Sequence, residues 1–446
     1  MRTLKFAIIC PAAKAFRIDD FNKKPSWRMR IFRVSMLSAL YVAASVPDDI
    51  ETEIVDENIE PIDLDTDAEL IGISFMTFNA PRAYTLAAAF KEKGKTVIFG
   101  GYHPTLMPEE AIDHCDAVCV GDAEANVPRM ITDFREGKLK RFYRHQSDTL
   151  ESLEVDNRLI NQKQYIVSSV VQATRGCPNQ CEFCAVSAFF NHSHRTKPIG
   201  DVVNEIKRIE KKHIIFIDDN IGADVLHAKR LFTELIPLKR HWYAQIGVHV
   251  AEDPELMALM RKSGCRGVLI GFESLSQQSL DQVAKGANKA QAYHQAIQTF
   301  HAHGIYIFGC FVLGFDQDKR EVFDTTARFL KEARIDGLQL TVQTPFPGTP
   351  LYKRMEQEGR IFDKDWTHYD FGHVVFEPTN MCAEELQVAH NRILREFYSW
   401  SSILVRLFQQ LRYLAPREVI ISLMISVGYR FKLGKTLQCF AKPNDD

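Results

Sequence analysis

Residues 175–184 of this 446-residue chain read RGCPNQCEFC and hold three cysteines within eight positions. Cys177 and Cys181 are separated by three residues, and Cys181 and Cys184 are separated by two. The chain has ten cysteines, and the other seven are scattered along it, as expected of small buried hydrophobic residues. Because only these three are crowded together, the spacing predicts that they hold a common ligand.

Composition indicates the kind of protein in which these cysteines act. The length favours two or three domains, and 46% hydrophobic with 25% charged residues is typical of a globular protein in water. A net charge of -2 provides no global field that would recruit nucleic acid, so we expect no nucleic-acid partner. The apolar run near the N-terminus ends at Pro11 and lacks the pattern of a signal peptide. We therefore expect a cytoplasmic protein whose thiols stay reduced.

The chain ahead of the cysteines alternates between strand and helix patterns. Apolar, β-rich runs occur at residues 5–10, 53–56, 70–75, 96–100 and 117–120. Helical stretches separate them, and the clearest is residues 81–93, with Pro81 in its first turn and Gly94 after its end. This alternation predicts an α/β domain over residues 1–142, built on a Rossmann-like (flavodoxin-like) parallel sheet.

Three polar or glycine-rich segments follow strands of that sheet. They are residues 74–79, residues 100–105 (GGYHPT) and residues 121–124 (GDAE). Glycine serves many tight turns without any ligand. However, ligands of parallel sheets bind beyond the carboxyl ends of the strands, so three such loops on one edge favour a binding site.

The second half of the chain repeats the strand–helix pattern after a polar linker at residues 143–163. Six strand candidates follow, most with a helical segment behind them, at residues 166–173, 213–218, 243–248, 267–272, 305–313 and 337–342. They predict a partial (β/α)6 barrel core over residues 164–378, followed by a helical C-terminal region over residues 379–446. The three cysteines follow the first of these strands, where an active-site loop is expected.

The residues leave two kinds of metal site open. Zinc requires four closed ligands, usually as two separated Cys-x-x-Cys pairs, but His192 or His194 could complete a Cys3His site. A four-iron cluster with only three cysteine ligands would instead keep one iron open, and that iron can bind a substrate or cofactor directly.

The spacing Cys-x-x-x-Cys-x-aromatic-Cys, formed by Cys177, Cys181, Phe183 and Cys184, resembles the signature of the radical S-adenosylmethionine (SAM) superfamily. The resemblance implies a [4Fe-4S] cluster held by the three cysteines, with the amino and carboxylate groups of SAM on the open iron. It also implies that an electron from the cluster cleaves SAM to a 5′-deoxyadenosyl radical, which abstracts hydrogen from the substrate.

The same resemblance implies which residues contact SAM. They lie in the cysteine loop and at the strand ends FIDDN (residues 216–220), GFES (271–274) and TPFPGTP (344–350), and the candidates are Phe183, Asp218, Glu273, Pro345 and Phe346. All but Glu273 have an alternative: Phe183 could serve ordinary packing, Asp218 and its neighbour Asp219 could lie in a solvated loop or cap a helix, and the proline-rich segment could be a turn without ligand.

An N-terminal Rossmann-like domain ahead of this core resembles the cobalamin-binding branch of the superfamily. The cobalamin contacts that this resemblance implies are Ser74, Gly100, Gly101, His103, Gly121 and Glu124. Many cobalamin proteins carry Asp-x-His-x-x-Gly, whose histidine ligates cobalt, and this sequence lacks the motif. Cobalamin would therefore bind without a histidine from that motif, or the domain would be a vestigial scaffold.

Three functions remain open from the sequence. The first is a cobalamin-dependent radical SAM methyltransferase, with oxidative or ring-forming chemistry as a variant, which would use a small-molecule substrate and an electron donor such as flavodoxin or ferredoxin. The second is a methylthiotransferase, which needs three further cysteines in its N-terminal domain, and the spacing of Cys10, Cys115 and Cys119 does not match. The third is a non-enzymatic binding module stabilised by zinc.

The C-terminal region adds a hypothesis about membranes. Residues 401–410 and 419–432 have helical patterns with apolar runs too short to span a bilayer. These helices could simply cap the open side of the barrel. They could instead lie on a membrane surface, which would suit a lipid-like substrate. In that case the cations near the head groups would be Arg412, Arg417, Arg430, Lys432 and Lys435.

Overall fold

The computed structural model describes residues 4–12, 37–150, 152–153, 155–160, 165 and 169–439. The first sheet has six parallel strands in the order β2-β1-β3-β4-β5-β6. Its strands are β1 (Lys5–Cys10), β2 (Glu51–Asp56), β3 (Leu70–Ser74), β4 (Thr96–Gly100), β5 (Ala117–Gly121) and β6 (Phe142–His145). The predicted flavodoxin-like order is confirmed, because β1 lies between β2 and β3.

Helices cover both faces of this sheet. They are α1 (Leu37–Ala44), α2 (Ala80–Glu92), α3 (Tyr102–Leu106), α4 (Pro108–Ala111) and α5 (Ala123–Arg135). One face packs on α1 and α5 through residues such as Leu40 and Met130, and the other packs on α2 through Phe90. Burial on both faces explains why β1 and β3 read as nearly continuous apolar runs.

The sixth strand corrects the linker prediction. β6 pairs with β5 from Phe142 to His145, so its last three residues lie inside the segment over residues 143–163 that the sequence predicts to be a linker. Its residues are mostly polar because it is an edge strand, so only Tyr143 is well buried. Residues 151, 154 and 161–163 of that segment lie outside the described residues.

The second sheet has six parallel strands in sequential order. They are β7 (Val170–Val171), β10 (His213–Phe216), β11 (His241–Ile246), β12 (Cys265–Glu273), β13 (Tyr306–Leu313) and β14 (Gly337–Val342). Each pairs with the next along the chain, and β7 and β14 form the two edges, which is the topology of a partial barrel. The first predicted strand, residues 166–173, is shorter in the structure, and its residues 166–168 lie outside the described part.

Helices surround this sheet and share its core. They are α6 (Ala185–Phe189), α7 (Ile199–Arg208), α8 (Val225–Leu235), α9 (Pro254–Ser263), α10 (Gln277–Gln282), α11 (Tyr293–Ala302), α12 (Glu321–Glu332) and α13 (Pro350–Gln357). A separate antiparallel pair, β8 (Thr174–Gly176) and β9 (His194–Thr196), brackets the cysteine loop. Alternation along β12 buries Val268 and Ile270 on one face and leaves Leu269 half-buried on the other.

Three helices end the described chain: α14 (Ala383–Phe397), α15 (Trp400–Gln410) and α16 (Pro416–Cys439). α14 packs on α12 and β14, and α16 contacts β14, α14 and α15, so the helices do pack on the barrel as one prediction has it. Among the described residues, none of the helices combines the length and apolarity that a bilayer span requires.

On α15 and α16, the side that packs against the protein is mostly polar and the exposed side is mostly apolar. The side chains that α15 and α16 bury are mostly polar: Arg406, Gln410, Glu418, Ser422 and Ser426. Their exposed side chains are mostly apolar: Leu404, Val405, Phe408, Ile420, Leu423 and Phe431. This is the reverse of the usual surface helix, whose apolar side faces the core.

Candidate functional site

The three cysteines lie in one loop between β8 and β9. Cys184 is the residue before α6, and its backbone N–H donates to the carbonyl of Cys181 at 3.1 Å. Cys181 is buried, and Cys177 and Cys184 are half-buried. The loop is fixed from outside as well, because the N–H of Glu182 donates to Val283 O at 3.2 Å. The structure therefore brings the predicted trio together.

Two aspartates hold the start of this loop. The carboxylate of Asp218 accepts the backbone N–H groups of Ala173 and Thr174, and burial raises the pKa of Asp218 to about 7. Asp219 accepts the N–H of Gly176 at 2.8 Å. Both carboxylates thus have backbone partners, and the role of Asp218 as a SAM contact stays a prediction.

Gly176 permits the close approach of the two strands beside the loop. Its φ is +84°, and an added Cβ would lie 2.2 Å from the carbonyl oxygen of Ser193. No other residue fits there without moving the backbone. Glycine at position 176 is therefore required for the loop to leave β8 at the observed angle.

Two of the three thiols are desolvated. Burial raises the pKa of the Cys177 thiol, and it raises the pKa of Cys181 to about 12. Among the described residues, no three cysteine, histidine or acidic side chains surround a single metal position. A four-iron cluster does not need such convergence, because each cysteine binds a different iron. The donor set of three thiols in one rigid loop therefore fits a cluster.

Two histidines left a zinc site open, His192 and His194, and their surroundings differ. His192 is exposed, and its Nδ1 lies 3.3 Å from the carbonyl oxygen of Asn179. Burial lowers the pKa of His194, which lies near Asp224 and His227.

A half-buried ion pair lies beside the cysteines, formed by the last residue of β12 and a lysine that follows α10. Glu273 ends β12 with a φ of +65°, a strained backbone conformation for a side chain other than glycine. Its Oε1 lies 3.2 Å from Nζ of Lys285. Although burial opposes it, the Glu273 carboxylate and the nearby thiol of Cys181 raise the pKa of Lys285. The pair places one negative and one positive group beside the cysteine loop.

The aromatic and proline candidates are packed around the same region. Phe183 is partly buried and meets Phe315 edge-to-face at 6.0 Å between ring centroids. Pro345 and Phe346 follow β14 and are buried, and Phe346 lies 4.7 Å from Phe371. Phe183 thus lies in the cysteine loop, and Pro345 and Phe346 lie in the segment after β14. Their contacts with SAM stay predictions.

The three predicted loops of the first sheet lie together at its carboxyl edge. Ser74 ends β3, Gly100 ends β4 and Gly121 ends β5, and these strands are neighbours. Gly101 has a φ of +97°, and an added Cβ would lie 2.8 Å from the carbonyl oxygen of Phe75. The glycine therefore lets two of these loops touch.

His103 is held by protein partners. The side chain is fully buried, its Nε2 lies 3.0 Å from the hydroxyl of Tyr84, and its Nδ1 lies 3.4 Å from Thr77 Oγ1. The ring also packs on Trp366 at 5.4 Å. Both nitrogens of His103 are thus occupied within the protein.

Acidic residues of the GDAE loop join the two halves of the protein. Arg175, beside the cysteine loop, donates to Asp122 at 3.1 Å and to Glu124 at 2.7 Å. Arg195 on β9 donates to Asp122 as well. All four side chains are nearly buried, and hydrogen bonds from Arg195 lower the pKa of Asp122 despite its burial. Glu124, predicted as a cobalamin contact, is therefore paired with the core.

Tyr102 completes the junction between the two edges. It lies in the GGYHPT loop, and its ring is 4.7 Å from that of Phe189 in α6. Burial raises the pKa of its hydroxyl, with Asp219 and Cys184 nearby. The carboxyl edge of the first sheet thus meets the cysteine loop directly.

Comparison with known proteins identifies the family. Residues 171–330 match the radical SAM superfamily, residues 32–131 match the B12 binding domain, and residues 349–428 match a domain of unknown function (DUF4070). The bacteriochlorophyllide d C-12(1)-methyltransferase of Chlorobaculum tepidum is 31% identical to this chain, over 90% of this chain and 89% of that protein. The chain belongs to the cobalamin-dependent radical SAM methyltransferases.

Further relatives and a solved structure agree with this family. The bacteriochlorophyllide d C-8(2)-methyltransferase of the same organism is 28% identical, over 95% of this chain and 96% of that protein. The hopanoid C-2 methylase of Rhodopseudomonas palustris is 24% identical, over 73% of this chain and 65% of that protein. The methyltransferase TsrM from Kitasatospora setae, solved with cobalamin and a [4Fe-4S] cluster bound, shares the fold with a TM-score of 0.63 at 13% identity, over 98% of this chain and all of that one (100%).

This radical SAM methyltransferase uses a [4Fe-4S] cluster, SAM and cobalamin, as the sequence predicts. The cysteines that a methylthiotransferase would need are scattered single thiols in the first domain. Cys10 ends β1, and burial raises the pKa of Cys115 and of Cys119 to about 12 each.

Sequence reasoning missed four charged or aromatic residues of this methyltransferase's site: Arg175, Arg195, Lys285 and Trp366. Arg175 stands at the start of the quoted segment, so its place beside the cysteines was visible in the sequence. Lys285 had no such signal, because only the fold brings it to Glu273 and Cys181.

Proposed function

We propose that this enzyme methylates a carbon of a large polycyclic small molecule held between its two cofactor edges. The observation that carries this proposal is the direct contact of the cysteine loop with the GGYHPT and GDAE loops, through Tyr102 and Arg175. When bound, the cluster supplies the electron that cleaves SAM. Cobalamin, when bound, carries the methyl group. A one-electron donor such as flavodoxin or ferredoxin would reduce the cluster.

We assign the cluster to Cys177, Cys181 and Cys184. The supporting features are the single rigid loop, the two desolvated thiols and the cation of Lys285 beside them. A positive charge near the thiolates offsets part of the negative charge that a ligated cluster would bring into a buried place.

We assign the charged groups of SAM to the ion pair beside the cysteines. Glu273 would accept hydrogen bonds from the amino group or ribose of SAM, and Lys285 would face its carboxylate. Asp218 acts differently, because its carboxylate is already used by backbone N–H groups. Asp218 would therefore position the cysteine loop, while Phe183, Pro345 and Phe346 would form apolar walls near the adenine.

We assign cobalamin to the carboxyl edge of the first sheet, at Ser74, Gly100, Gly101 and Gly121. His103 supports this edge from behind, since both of its nitrogens have protein partners. Glu124 would act through Arg175 by fixing the first domain to the core. We divide the chain accordingly into residues 1–145, a core over 164–378 and a helical region from 379, with the first boundary moved because β6 pairs with β5.

The relatives support a polycyclic substrate. Bacteriochlorophyllide is a tetrapyrrole and a hopanoid is a fused-ring lipid, so both are large, rigid and largely apolar. We propose that this enzyme takes a molecule of the same physical kind.

We also propose that α15 and α16 contact an anionic membrane, where such a substrate would be dissolved. Their exposed apolar side chains are flanked by cations: Arg430 lies 5.1 Å from the Trp400 ring and Arg412 lies 5.9 Å from the Phe408 ring. An apolar face with cations and tryptophan at its margin is typical of interfacial helices. The side chains of Lys432 and Lys435, predicted to take part, lie outside the described residues.

Methyl transfer is tested with labelled SAM. The anaerobically reconstituted protein is given SAM with a deuterated methyl group, a strong reductant and either a tetrapyrrole or a hopanoid extract. It should transfer the deuterated methyl group to a compound of one of these two substrate classes. A Cys184→Ala variant is the matched control and should transfer none. Formation of 5′-deoxyadenosine by the wild type without any labelled product would overturn methyl transfer.

Membrane contact is tested by flotation with anionic liposomes. A Leu404→Glu, Phe408→Glu double variant should float several-fold less than the wild type at low salt. Val388→Glu on α14, which is similarly exposed but belongs to neither of these two helices, should float like the wild type. Equal flotation of all three proteins would make the apolar face irrelevant to lipid.

A further inference from the structure

The segment that follows the core crosses from one cofactor edge to the other. At the barrel edge, the N–H of Val342, the last residue of β14, donates to Phe371 O at 2.9 Å. At the other edge, the turn Trp366–His368 packs against the turn Thr77–Asn79 that follows β3. Trp366 also donates from Nε1 to Glu110 at 2.8 Å. Side chains of this crossing segment therefore lie between the proposed SAM and cobalamin edges.

Two histidine–aspartate pairs lie in this segment. Nδ1 of His368 is 2.6 Å from Asp363 Oδ2, and Nδ1 of His373 is 3.0 Å from Asp370 Oδ1. The two imidazole rings are 4.8 Å apart. Their side chains are 33% and 21% exposed, so the pairs are open to a ligand rather than sealed in the core.

The two pairs differ in what the aspartate does. Asp370 uses the same oxygen for the N–H groups of Gly372 and His373, so it mainly closes a turn. Asp363 uses Oδ1 for a turn and reserves Oδ2 for His368. A carboxylate at Nδ1 fixes the tautomer that leaves the Nε2 lone pair available, and this is the usual support of a metal-binding histidine.

One imidazole is the ligand that a metallotetrapyrrole needs. Four ring nitrogens of the macrocycle already hold the metal, and a single axial ligand completes its coordination. The same segment carries an aromatic ring three residues after His368: Phe371 is 37% exposed and packs on Phe346 at 4.7 Å. Such rings suit the flat face of a macrocycle.

We propose that His368, supported by Asp363, is the axial ligand to the metal of a tetrapyrrole substrate. This inference rests on the proposed function and names the substrate class of the same site. Coordination would fix the height and tilt of the macrocycle between the two cofactor edges. It would also select a metallated ring over the metal-free ring and over a fused-ring lipid, neither of which carries a metal.

The test uses the full-length, anaerobically reconstituted protein with zinc pheophorbide a and its metal-free form, pheophorbide a. Wild type should red-shift the Soret band of the zinc compound and bind it at least tenfold more tightly than the metal-free ring. His368→Ala should abolish the shift and remove that preference, and Asp363→Asn should weaken binding of the zinc compound by about tenfold. Binding of the metal-free ring should be the same in all variants, which reports that they are folded.

Two histidine variants serve as controls. His373→Ala changes the neighbouring pair, and His303→Ala changes a half-buried histidine that follows α11. Both should keep the red shift. A shift that survives in His368→Ala, or that is lost in His373→Ala instead, would overturn the assignment.

SAM cleavage measured on the same samples separates this inference from the proposed function. Wild type that cleaves SAM but shows no zinc-dependent shift would overturn only the axial ligand. Wild type that holds no cluster and cleaves no SAM would overturn the proposed function itself.

Discussion

The carboxyl edges of the two sheets look alike in sequence and differ in use. Each edge has a glycine and acidic residues where a strand ends, GDAE at the end of β5 and GFES at the end of β12. At the first edge the acidic side chains of Asp122 and Glu124 are paired with arginines of the other domain. At the barrel edge Glu273 pairs with Lys285 beside the cysteine loop.

The same loop pattern can therefore serve either to join two domains or to place charged groups at the reaction site. Acidic residues that pair with arginines of the other domain hold the two sheet edges together. Their carboxylates are occupied by these ion pairs and are not available to a ligand. Acidic residues whose partner is local, with thiols nearby, remain next to the reacting groups. The following predictions test this division.

The largest expected effect is at the barrel edge. Cys181→Ala should lower iron to background and abolish 5′-deoxyadenosine formation, because a thiolate ligand of the cluster is lost. Iron content and nucleoside are measured after anaerobic reconstitution. Cys382→Ser, at an exposed position before α14, should keep both. A Cys181→Ala protein with full iron would contradict the assignment of the trio.

At the first edge, the corresponding change should affect assembly. Arg175→Met leaves the buried Glu124 without its arginine and removes one of the two arginines paired with Asp122, and it should cost about 3–5 kcal/mol of folding free energy. Denaturant unfolding of the reconstituted protein measures this loss. Arg144→Met breaks the exposed pair with Glu109 and should cost about 0–1 kcal/mol. Equal losses would show that the buried network is an ordinary surface contact.

Lys285 gives a smaller and more selective effect. Lys285→Met should weaken SAM binding by about tenfold to a hundredfold, because a charged hydrogen bond to the ligand is lost, while iron content is kept. Equilibrium binding of SAM to the reconstituted protein measures it, with Lys289→Met as the nearby control. Unchanged SAM affinity in the iron-loaded Lys285→Met protein would remove Lys285 from the site.

The opposite end of the barrel should respond to pH rather than to cofactors. Burial, with Arg266 nearby, lowers the pKa of His241 to about 4, so the folded protein keeps it neutral where the unfolded chain binds a proton. This contribution to stability is complete above pH 6.5 and is lost as the pH falls from about 6.5 to 4. The thermal midpoint should therefore drop over that range, and less steeply in His241→Gln. Parallel curves for the two proteins would refute this.

The smallest expected effect is none at all. His103→Gln should leave the absorption spectrum of bound cobalamin in its base-off form, because both nitrogens of His103 already have protein partners. Spectra of the two reconstituted proteins are compared anaerobically. A change from base-on in the wild type to base-off in the variant would place His103 at the cobalt.

The sequence alone determined the parts that depend on local patterns. Three cysteines in eight positions, a glycine such as Gly176 and strand–helix alternation are all read within short windows, and the structure keeps them. β14 has the bounds that its sequence predicts, because a run buried on alternate sides has a clear pattern. β6 was missed because an edge strand needs little apolar sequence.

Which charged side chains pair with each other depends on the tertiary structure. The sequence places Asp218, Glu124 and Glu273 at strand ends alike, yet one accepts backbone N–H groups, one binds Arg175 and one pairs with Lys285. The choice depends on residues far away in the chain that the two sheets bring within hydrogen-bonding distance. The same holds for the reversed polarity of α15 and α16, since a helical pattern shows that a helix has two faces but does not show which face the barrel covers.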